Sequence, residues 1–494
     1  MNWEIRTLKD VLPELQDTQL EALEVHGVVQ DSREISPGDL FLARSGLRHK
    51  GADYIEAAAA KGAVAAVLDS NEFDETQIWP IPVIPVADLS AQLGHIAARF
   101  YGNPSHQMRV VGITGTNGKT SCSHFIAQAL ESLGHRSAVV GTVGNGFIGQ
   151  LNESKHTTPD AVGLQRLLAE LRAEDAEVVV MEVSSHALEQ HRVAGVEFDV
   201  VLFTNLSRDH LDYHGSIDAY GAAKALLFTD YNAPAAAIWC DDAFGQKLHN
   251  QLDSNSTMRL LSVAATQADV RSEQELLNEQ GISGLLKTPW GAINLHSPLV
   301  GRFNLTNLML SAAALGLLEC SAGEIERGLN AVKPVEGRMQ RMGGGEQPMV
   351  VVDYAHTPDA LQQALSALRG HCQGRLICVF GCGGDRDHGK RAQMGLVAAN
   401  WADLLVVTSD NPRSEAPESI IEMVLEGIPA EQNRLVEADR RVAIKQAVNE
   451  AFSGDIVLIA GKGHETYQEI QGERFPFSDV EEAEAALEAC LNDR

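Results

Sequence analysis

Arg109-Val-Val-Gly-Ile-Thr-Gly-Thr-Asn-Gly-Lys-Thr120 reads as a short apolar strand, a glycine-rich turn and the start of a helix. This order points to nucleotide chemistry. Glycines let backbone N–H groups approach phosphate oxygens, and a helix N-terminus favours negative charge. Lys119 is expected to reach the terminal phosphates, and the Thr120 hydroxyl to ligate Mg²⁺. The spacing departs from the usual phosphate loop, whose first glycine would fall at Ile113. The working core is therefore the shorter Gly115-Thr116-Asn117-Gly118-Lys119-Thr120. The plainer alternative is a glycine turn closing a strand beside an exposed lysine; the flanking strand and helix favour phosphate binding.

Outward from this loop, Val-rich apolar runs at 109–114, 177–183 and 199–204 fit strands buried on both faces of a parallel sheet, with helices at 119–133 and 161–172 between them. The second run ends on Glu182, placed where carboxylates commonly meet Mg²⁺ in nucleotide enzymes. A solvated strand terminus explains Glu182 equally well at this stage. The third run leads into a loop holding Asp209, His210, Asp212 and His214. Its spacing matches no standard structural zinc pattern, so oxygen-rich Mg²⁺ chemistry fits better, with His214 alone read as structural.

The last third repeats the alternation, with strands at 349–352, 376–380, 404–408 and 456–460 and an acidic helix after Asp479. Three turns should share one sheet edge, where ligands bind: Gly381–Arg386, Asp410–Arg413 and Gly461–Glu465. Arg386 and Arg413 with Glu465 suit a zwitterion, carboxylate to arginine and ammonium to glutamate. Cys372, Cys378 and Cys382 read as buried thiols rather than metal ligands. Before residue 106 lies a small α/β unit, with a helix at 54–61, a strand at 64–68 and a helix at 89–101 that stops at Gly102-Asn-Pro104. Between 256 and 299 the pattern turns polar, as an antiparallel extension would, and helices return at 304–318 and 322–332. The organisation expected is α/β in three domains: 1–106, a central mostly parallel phosphate-loop sheet over 107–335, and a doubly wound Rossmann-like sheet over 336–494.

A chain of 494 residues is too long for a single ordinary core. Its net charge of −28 disfavours nucleic acid and anionic membrane as broad partners. The amino terminus carries charges where a signal peptide needs an apolar core, and no apolar run is long enough for a spanning helix. Seven scattered cysteines form no disulfide framework. A cytoplasmic monomer is the expectation.

Together these residues resemble the Mur ligase family across essentially the whole chain. The resemblance implies an ATP site of Gly115, Thr116, Asn117, Gly118, Lys119, Thr120 and Ser121. Asn304 and Asn307 of the segment 301–307, Arg338 of Gly337-Arg338 and Asp353 of Asp353-Tyr-Ala-His-Thr-Pro358 would join it. It implies catalytic roles for Lys119, Glu182, His210 and Lys224, with metal held by Thr120, Glu182, His210 and a carbamylated Lys224. Nothing in composition or spacing reveals that modification. A uridine-linked muramoyl-dipeptide would be bound by Ser32, Leu47, Arg48, His49, Thr157, Thr158, Ser184, Gln190 and Arg192.

Arg386, Asp410, Asn411, Pro412, Arg413, Gly461 and Glu465 would bind meso-diaminopimelate. Asp410-Asn-Pro-Arg413 resembles the signature of members that select this diamino acid over lysine. Arg413 supplies a reason, since a planar fork pairs with the second carboxylate, and leaving a buried cation unpaired costs on the order of 3–5 kcal/mol. The implied activity is ATP-dependent addition of meso-diaminopimelate to UDP-N-acetylmuramoyl-L-alanyl-D-glutamate through an acyl phosphate, in peptidoglycan precursor synthesis, with ATP and Mg²⁺. Its rivals are the lysine-adding form, a folylpolyglutamate synthase, a P-loop ATPase or kinase that forms no amide bond, and a nucleotide-dependent binding module.

Overall fold

The computed structural model describes residues 3–46, 49–154, 156–254, 257–278 and 281–492, apart from the side chains of Asp212, Leu491 and Asn492. The chain divides into two compact units, one of Met1–Val263 with Ala313–Cys320, the other of Ala264–Ala312 with Ser321–Arg494.

The first unit holds, besides a two-stranded sheet of Arg6–Thr7 and Glu24–Val25, two main sheets. The larger runs in the order Gln150–Asn152, Asn145–Phe147, Ser137–Val140, Val178–Glu182, Arg109–Thr114, Val200–Phe203, Ala235–Trp239 and Arg259–Val263. Asn145–Phe147 is antiparallel to both its neighbours, and all other pairs are parallel. Val110, Val111, Ile113, Val179, Val180, Val201 and Leu202 are all fully buried, as strands covered on both faces must be. The helix Lys119–Ser132 follows the central strand, and Asp160 caps the helix Ala161–Ala173 through the N–H groups of Val162 and Gly163.

Register then sets the site. Glu182 stands opposite Ile113 and Phe203 opposite Thr114, so three adjacent parallel strands end level. The chain leaves the central strand first to one side and later to the other, which opens the crevice where α/β sheets bind ligands. The smaller sheet has four parallel strands, Gly27–Val29, Asp39–Ala43, Ala65–Asp69 and Val83–Val86. Its core, with the helix Leu89–Phe100, takes in Ala161 and Val162.

The second unit carries a six-stranded sheet ordered Gln340–Gly343, Met349–Asp353, Ile456–Ala460, Leu376–Phe380, Leu404–Val407 and Arg434–Val436, parallel apart from its first strand. The inner strands end together at Asp353, Ala460, Phe380 and Val407, so the three turns singled out in the sequence share one edge. Behind that edge Arg440 forms a doubly hydrogen-bonded pair with Asp479, both 2.7 Å and both fully buried. Its other donors reach the carbonyls of Ser409 and Ala460. This pins the helix Asp479–Asn492 to the sheet.

One expectation needs correction, and one element was not anticipated. The polar stretch 256–299 is not uniformly an antiparallel extension. Arg259–Val263 is the parallel edge strand of the large sheet, its alternate residues Leu261 and Val263 buried, and the antiparallel sheet is confined to Arg271–Asn278, Gly281–Thr288 and Gly291–Ser297. The hairpin Tyr467–Ile470/Glu473–Pro476 has no counterpart in the sequence reading, because its strands are too polar to show an apolar pattern.

Candidate active site

Gly115 and Gly118 both adopt positive φ, and Gly118 caps the helix that begins at Lys119. A Cβ on Gly115 would lie 1.9 Å from the Thr204 hydroxyl, so the turn closes only around glycine. Residue 113 needs no such freedom, because Ile113 is a buried strand residue; this accounts for the shortened motif. Side chains from the neighbouring strand fix the turn. The Thr204 hydroxyl and Asn205 Nδ2 donate to the Asn117 carbonyl at 2.6 and 3.0 Å, and Asn205 Oδ1 accepts from Asn117 N–H at 2.9 Å. Thr116 exchanges bonds with Ser207 at 3.0 and 3.3 Å.

Three cationic or hydroxylic groups gather here. Lys119 Nζ curls onto the carbonyls of Gly115 and Thr116 at 2.9 and 2.8 Å. Lys224 Nζ reaches the same Gly115 carbonyl at 2.8 Å from the helix Ile217–Thr229. It is 1% exposed and lies 4.2 Å over the Tyr220 ring. Burial, and then the neighbouring Lys119 charge, push the Lys224 amine well below its ordinary pKa. The Thr120 hydroxyl donates to Glu182 Oε1 at 3.0 Å.

Glu182, 1% exposed, also accepts from Thr142 N–H at 2.8 Å and from the Thr142 hydroxyl at 3.2 Å. Gly141 lets it in, since a Cβ there would stand 2.3 Å from the carboxylate. Thr120 and Glu182 are thus hard oxygen donors held together, a fit for Mg²⁺, which takes few protein ligands beside phosphates and water. Among the described residues no cluster of three or more His, Cys, Asp or Glu forms a metal cage. Lys224 as an ammonium has no lone pair for a cation; a carbamate on it would supply one more oxygen. Ser121 is buried beside Thr120 in the first helical turn.

His210 stands apart from this knot. Its side-chain partners are Asp209, with Nε2 3.5 Å from Oδ2, and the rings of His186 at 5.0 Å and Tyr220 at 6.1 Å. His214, fully buried, bonds the Ser185 hydroxyl at 2.9 Å. It anchors the loop, as its structural reading requires.

The residues expected to hold the muramoyl-peptide do come together. The Thr158 hydroxyl donates to the Glu182 carbonyl and accepts from Ser184 N–H, at 2.9 and 3.2 Å. Thr157 lies 3.1 Å from the Thr142 hydroxyl, oxygen to oxygen. Arg192 donates to Gln190 Oε1 and to the Thr158 carbonyl. Next to them, Asp160 accepts from Gln30 at 2.9 Å, which brings the turn around Ser32 to the same side. His49 is exposed near Tyr54; Leu47 and Arg48 lie outside the described residues.

In the second unit Asp353 accepts from the N–H groups of Met339 and Ala355 at 2.8 and 2.9 Å, and desolvation raises its pKa despite Arg338. Arg338 lies 4.6 Å over Tyr354, whose ring also neighbours His356 at 4.7 Å and His464 at 5.1 Å. Burial pushes His464 down to about 4. Asn304 and Asn307 are buried and joined at 3.2 Å.

The amino-acid turns form one network. Asn411 Nδ2 donates to Glu465 Oε2 at 2.8 Å, and Lys462 Nζ, fully buried, donates to Asn411 Oδ1 and Glu465 Oε2 at 2.9 and 2.8 Å. Gly461 admits Asp410, whose Oδ2 would sit 2.7 Å from a Cβ. Pro412 is buried beside them. Arg413 donates to Glu469 Oε2 at 3.2 Å and to the Gly384 carbonyl at 2.9 Å.

Arg386 is not in this network; it is exposed and, among the described residues, bonds only the adjacent Asp385 carbonyl. Arg413 is also not an orphan cation, so the full penalty expected from sequence does not apply. Thr142, Lys462 and Glu469 escaped the sequence reading. Only Lys462, inside the turn Gly461–Glu465, left any local signal. Of the three cysteines, Cys378 and Cys382 are buried with raised thiol pKa values and all are free.

Comparison with known proteins bears on what this arrangement does. Residues 24–101, 113–315 and 337–463 match models described as the Mur ligase family catalytic domain, the Mur ligase middle domain and the Mur ligase glutamate ligase domain. The chain is 47% identical to a UDP-N-acetylmuramoyl-L-alanyl-D-glutamate–2,6-diaminopimelate ligase of Coxiella burnetii, covering 96% of this chain and 99% of that one. It is 50% identical to the protein of the same name from Chromobacterium violaceum, over 94% and 95%. A solved structure of a ligase of that name superposes with a TM-score of 0.75 at 36% identity, covering 99% of this chain and all of the other. Among the described residues no helix is long and apolar enough to cross a membrane.

Proposed function

Because this chain belongs to the Mur ligase family, we propose that it is an ATP-dependent ligase joining meso-diaminopimelate to UDP-N-acetylmuramoyl-L-alanyl-D-glutamate in the cytoplasm. The observation that carries the reading is the convergence of Lys119, Thr120, Glu182 and Lys224 on one glycine turn at the head of a helix. The domain boundaries that go with it are 1–106, 107–335 and 336–494.

A carboxylate resists attack by an amine because oxide is a poor leaving group. Transfer of the ATP γ-phosphoryl group to the glutamate side-chain carboxylate makes an acyl phosphate. The deprotonated amine of diaminopimelate attacks its carbonyl, and the tetrahedral intermediate loses a proton from nitrogen and expels phosphate, leaving an amide. Lys119 and the loop N–H groups neutralise charge on the moving phosphoryl group. Thr120 and Glu182 would hold Mg²⁺, with His210 reaching it from outside their hydrogen-bonded group and a carbamylated Lys224 helping to hold a second ion; the metal would supply further charge neutralisation when bound. Burial lowers the Lys224 pKa and so favours the uncharged amine, the form that carbamylation by CO₂ requires.

Thr157, Thr158, Ser184, Gln190 and Arg192 hold the peptide, with Ser32, Leu47, Arg48 and His49 towards the uridine end. Asn304, Asn307, Arg338 and Asp353 serve ATP. Asp410, Asn411, Pro412, Arg413, Gly461 and Glu465 receive the amino acid, with Arg386 contributing from its exposed turn. Phosphate release measured with ATP and the uridine-linked dipeptide tests the reading: diaminopimelate should drive it and lysine should not. Equal rates with both refute the specificity, and release indifferent to either refutes the ligase.

A further inference from the structure

We infer that Glu469 is the positioning residue that aims Arg413, and through it sets the preference for an acceptor with a second carboxylate. The hairpin strand Tyr467–Ile470 is stitched to the Asp410–Arg413 turn by backbone bonds on both sides of the arginine. Arg413 N–H donates to the Glu469 carbonyl at 3.0 Å, and Gln471 N–H donates to the Arg413 carbonyl at 2.7 Å. Arg413 itself sits at φ +51, a conformation a non-glycine residue keeps only when its surroundings hold it there. Glu469 N–H in turn donates to Asn411 Oδ1 at 2.9 Å, so the hairpin is tied into the Lys462–Asn411–Glu465 network.

The side-chain geometry shows what the clamp accomplishes. A guanidinium has five N–H donors in one plane. Glu469 Oε2 takes the Nε donor at 3.2 Å and the Gly384 carbonyl takes one Nη1 donor at 2.9 Å. Nη2 has no hydrogen-bond partner among the described residues. Two fixed points lock the plane and leave both Nη2 hydrogens and one on Nη1 for a carboxylate, which therefore binds without displacing Glu469.

Competition from Glu469 for the cation is the opposing effect, and it is the weaker one. The two side chains are 21% and 27% exposed and share a single bond, so solvent partly screens the pair. Orientation wins.

The inference rests on Arg413 meeting the acceptor's second carboxylate, as proposed above. It is tested by steady-state kinetics of Glu469→Ala and Glu469→Gln with diaminopimelate and lysine. Loss of one oriented charge-assisted contact predicts a diaminopimelate KM raised on the order of tenfold in Glu469→Ala. The change should fall on KM rather than kcat, with a matching fall in the diaminopimelate-to-lysine ratio and unaltered KM values for ATP and the dipeptide. Glu469→Gln keeps an oxygen acceptor for Nε and should recover most of the loss. An unchanged or lowered KM in Glu469→Ala overturns the inference, as does a Gln variant no better than Ala. If wild-type protein ignores diaminopimelate altogether, the functional reading has failed instead.

Discussion

Arg413 shows how much one side chain depends on residues far along the chain. Its partners Gly384 and Glu469 lie 29 and 56 positions away. Arg413→Ala is expected to raise the diaminopimelate KM by about ten- to a hundredfold, the worth of one or two charge-assisted bonds, while leaving ATP binding intact. An unchanged kcat/KM would remove Arg413 from recognition. Arg413 was legible because arginine beside Asn-Pro in a turn is unexplained by turn chemistry alone. Glu469 was not, because a glutamate in a polar stretch looks like any solvated charge until a hairpin folds it back. Lys119 and Thr120 were legible for the opposite reason. Their role depends on local backbone shape, which glycine announces.

At the scale of elements, the buried strands could be read directly. Arg109–Thr114, Val178–Glu182 and Ile456–Ala460 are apolar on both faces and leave continuous runs in the sequence. What such runs do not encode is which strand lies beside which. Thr142 serves Glu182 only because Ser137–Val140 pairs with Val178–Glu182, a contact spanning 40 positions. Elements also differ in how acid should loosen them.

Arg391, on the helix Gly389–Trp401, grips Glu415 with two bonds of 2.7 and 2.8 Å, and this holds the Glu415 carboxyl at about 2 instead of 4.5. A depressed carboxyl stabilises the fold above its unfolded pKa and loses that contribution as pH falls towards the folded value. Thermal melts should therefore show stability declining as pH falls from 4.5 towards about 2, and Glu415→Gln should flatten that decline. An identical slope in the variant would assign the acid sensitivity elsewhere.

For the whole molecule, the three-domain α/β organisation followed from alternating patterns and chain length. The compact units follow a different division, because the helix Arg302–Leu317 is shared between them. Sequence patterns mark elements, not the partition of their contacts. Nucleotide binding should register across the fold by mass action. ATP with Mg²⁺ at about a hundred times its Kd adds roughly 2.7 kcal/mol to the stability of the state that binds it. Calorimetry should show a rise in Tm that Lys119→Ala abolishes; a rise that survives in the variant would move the nucleotide away from this loop.

One carboxylate in the first unit answers to several segments at once. Glu182 takes bonds from the Thr120 helix start and from both the backbone and hydroxyl of Thr142, while its own carbonyl receives Thr158. Such a junction cannot be adjusted for one customer alone. Double-mutant cycles pairing Thr120 with Thr142 will be non-additive, and anyone retuning this protein for a different nucleotide or peptide will have to redesign both approaches together.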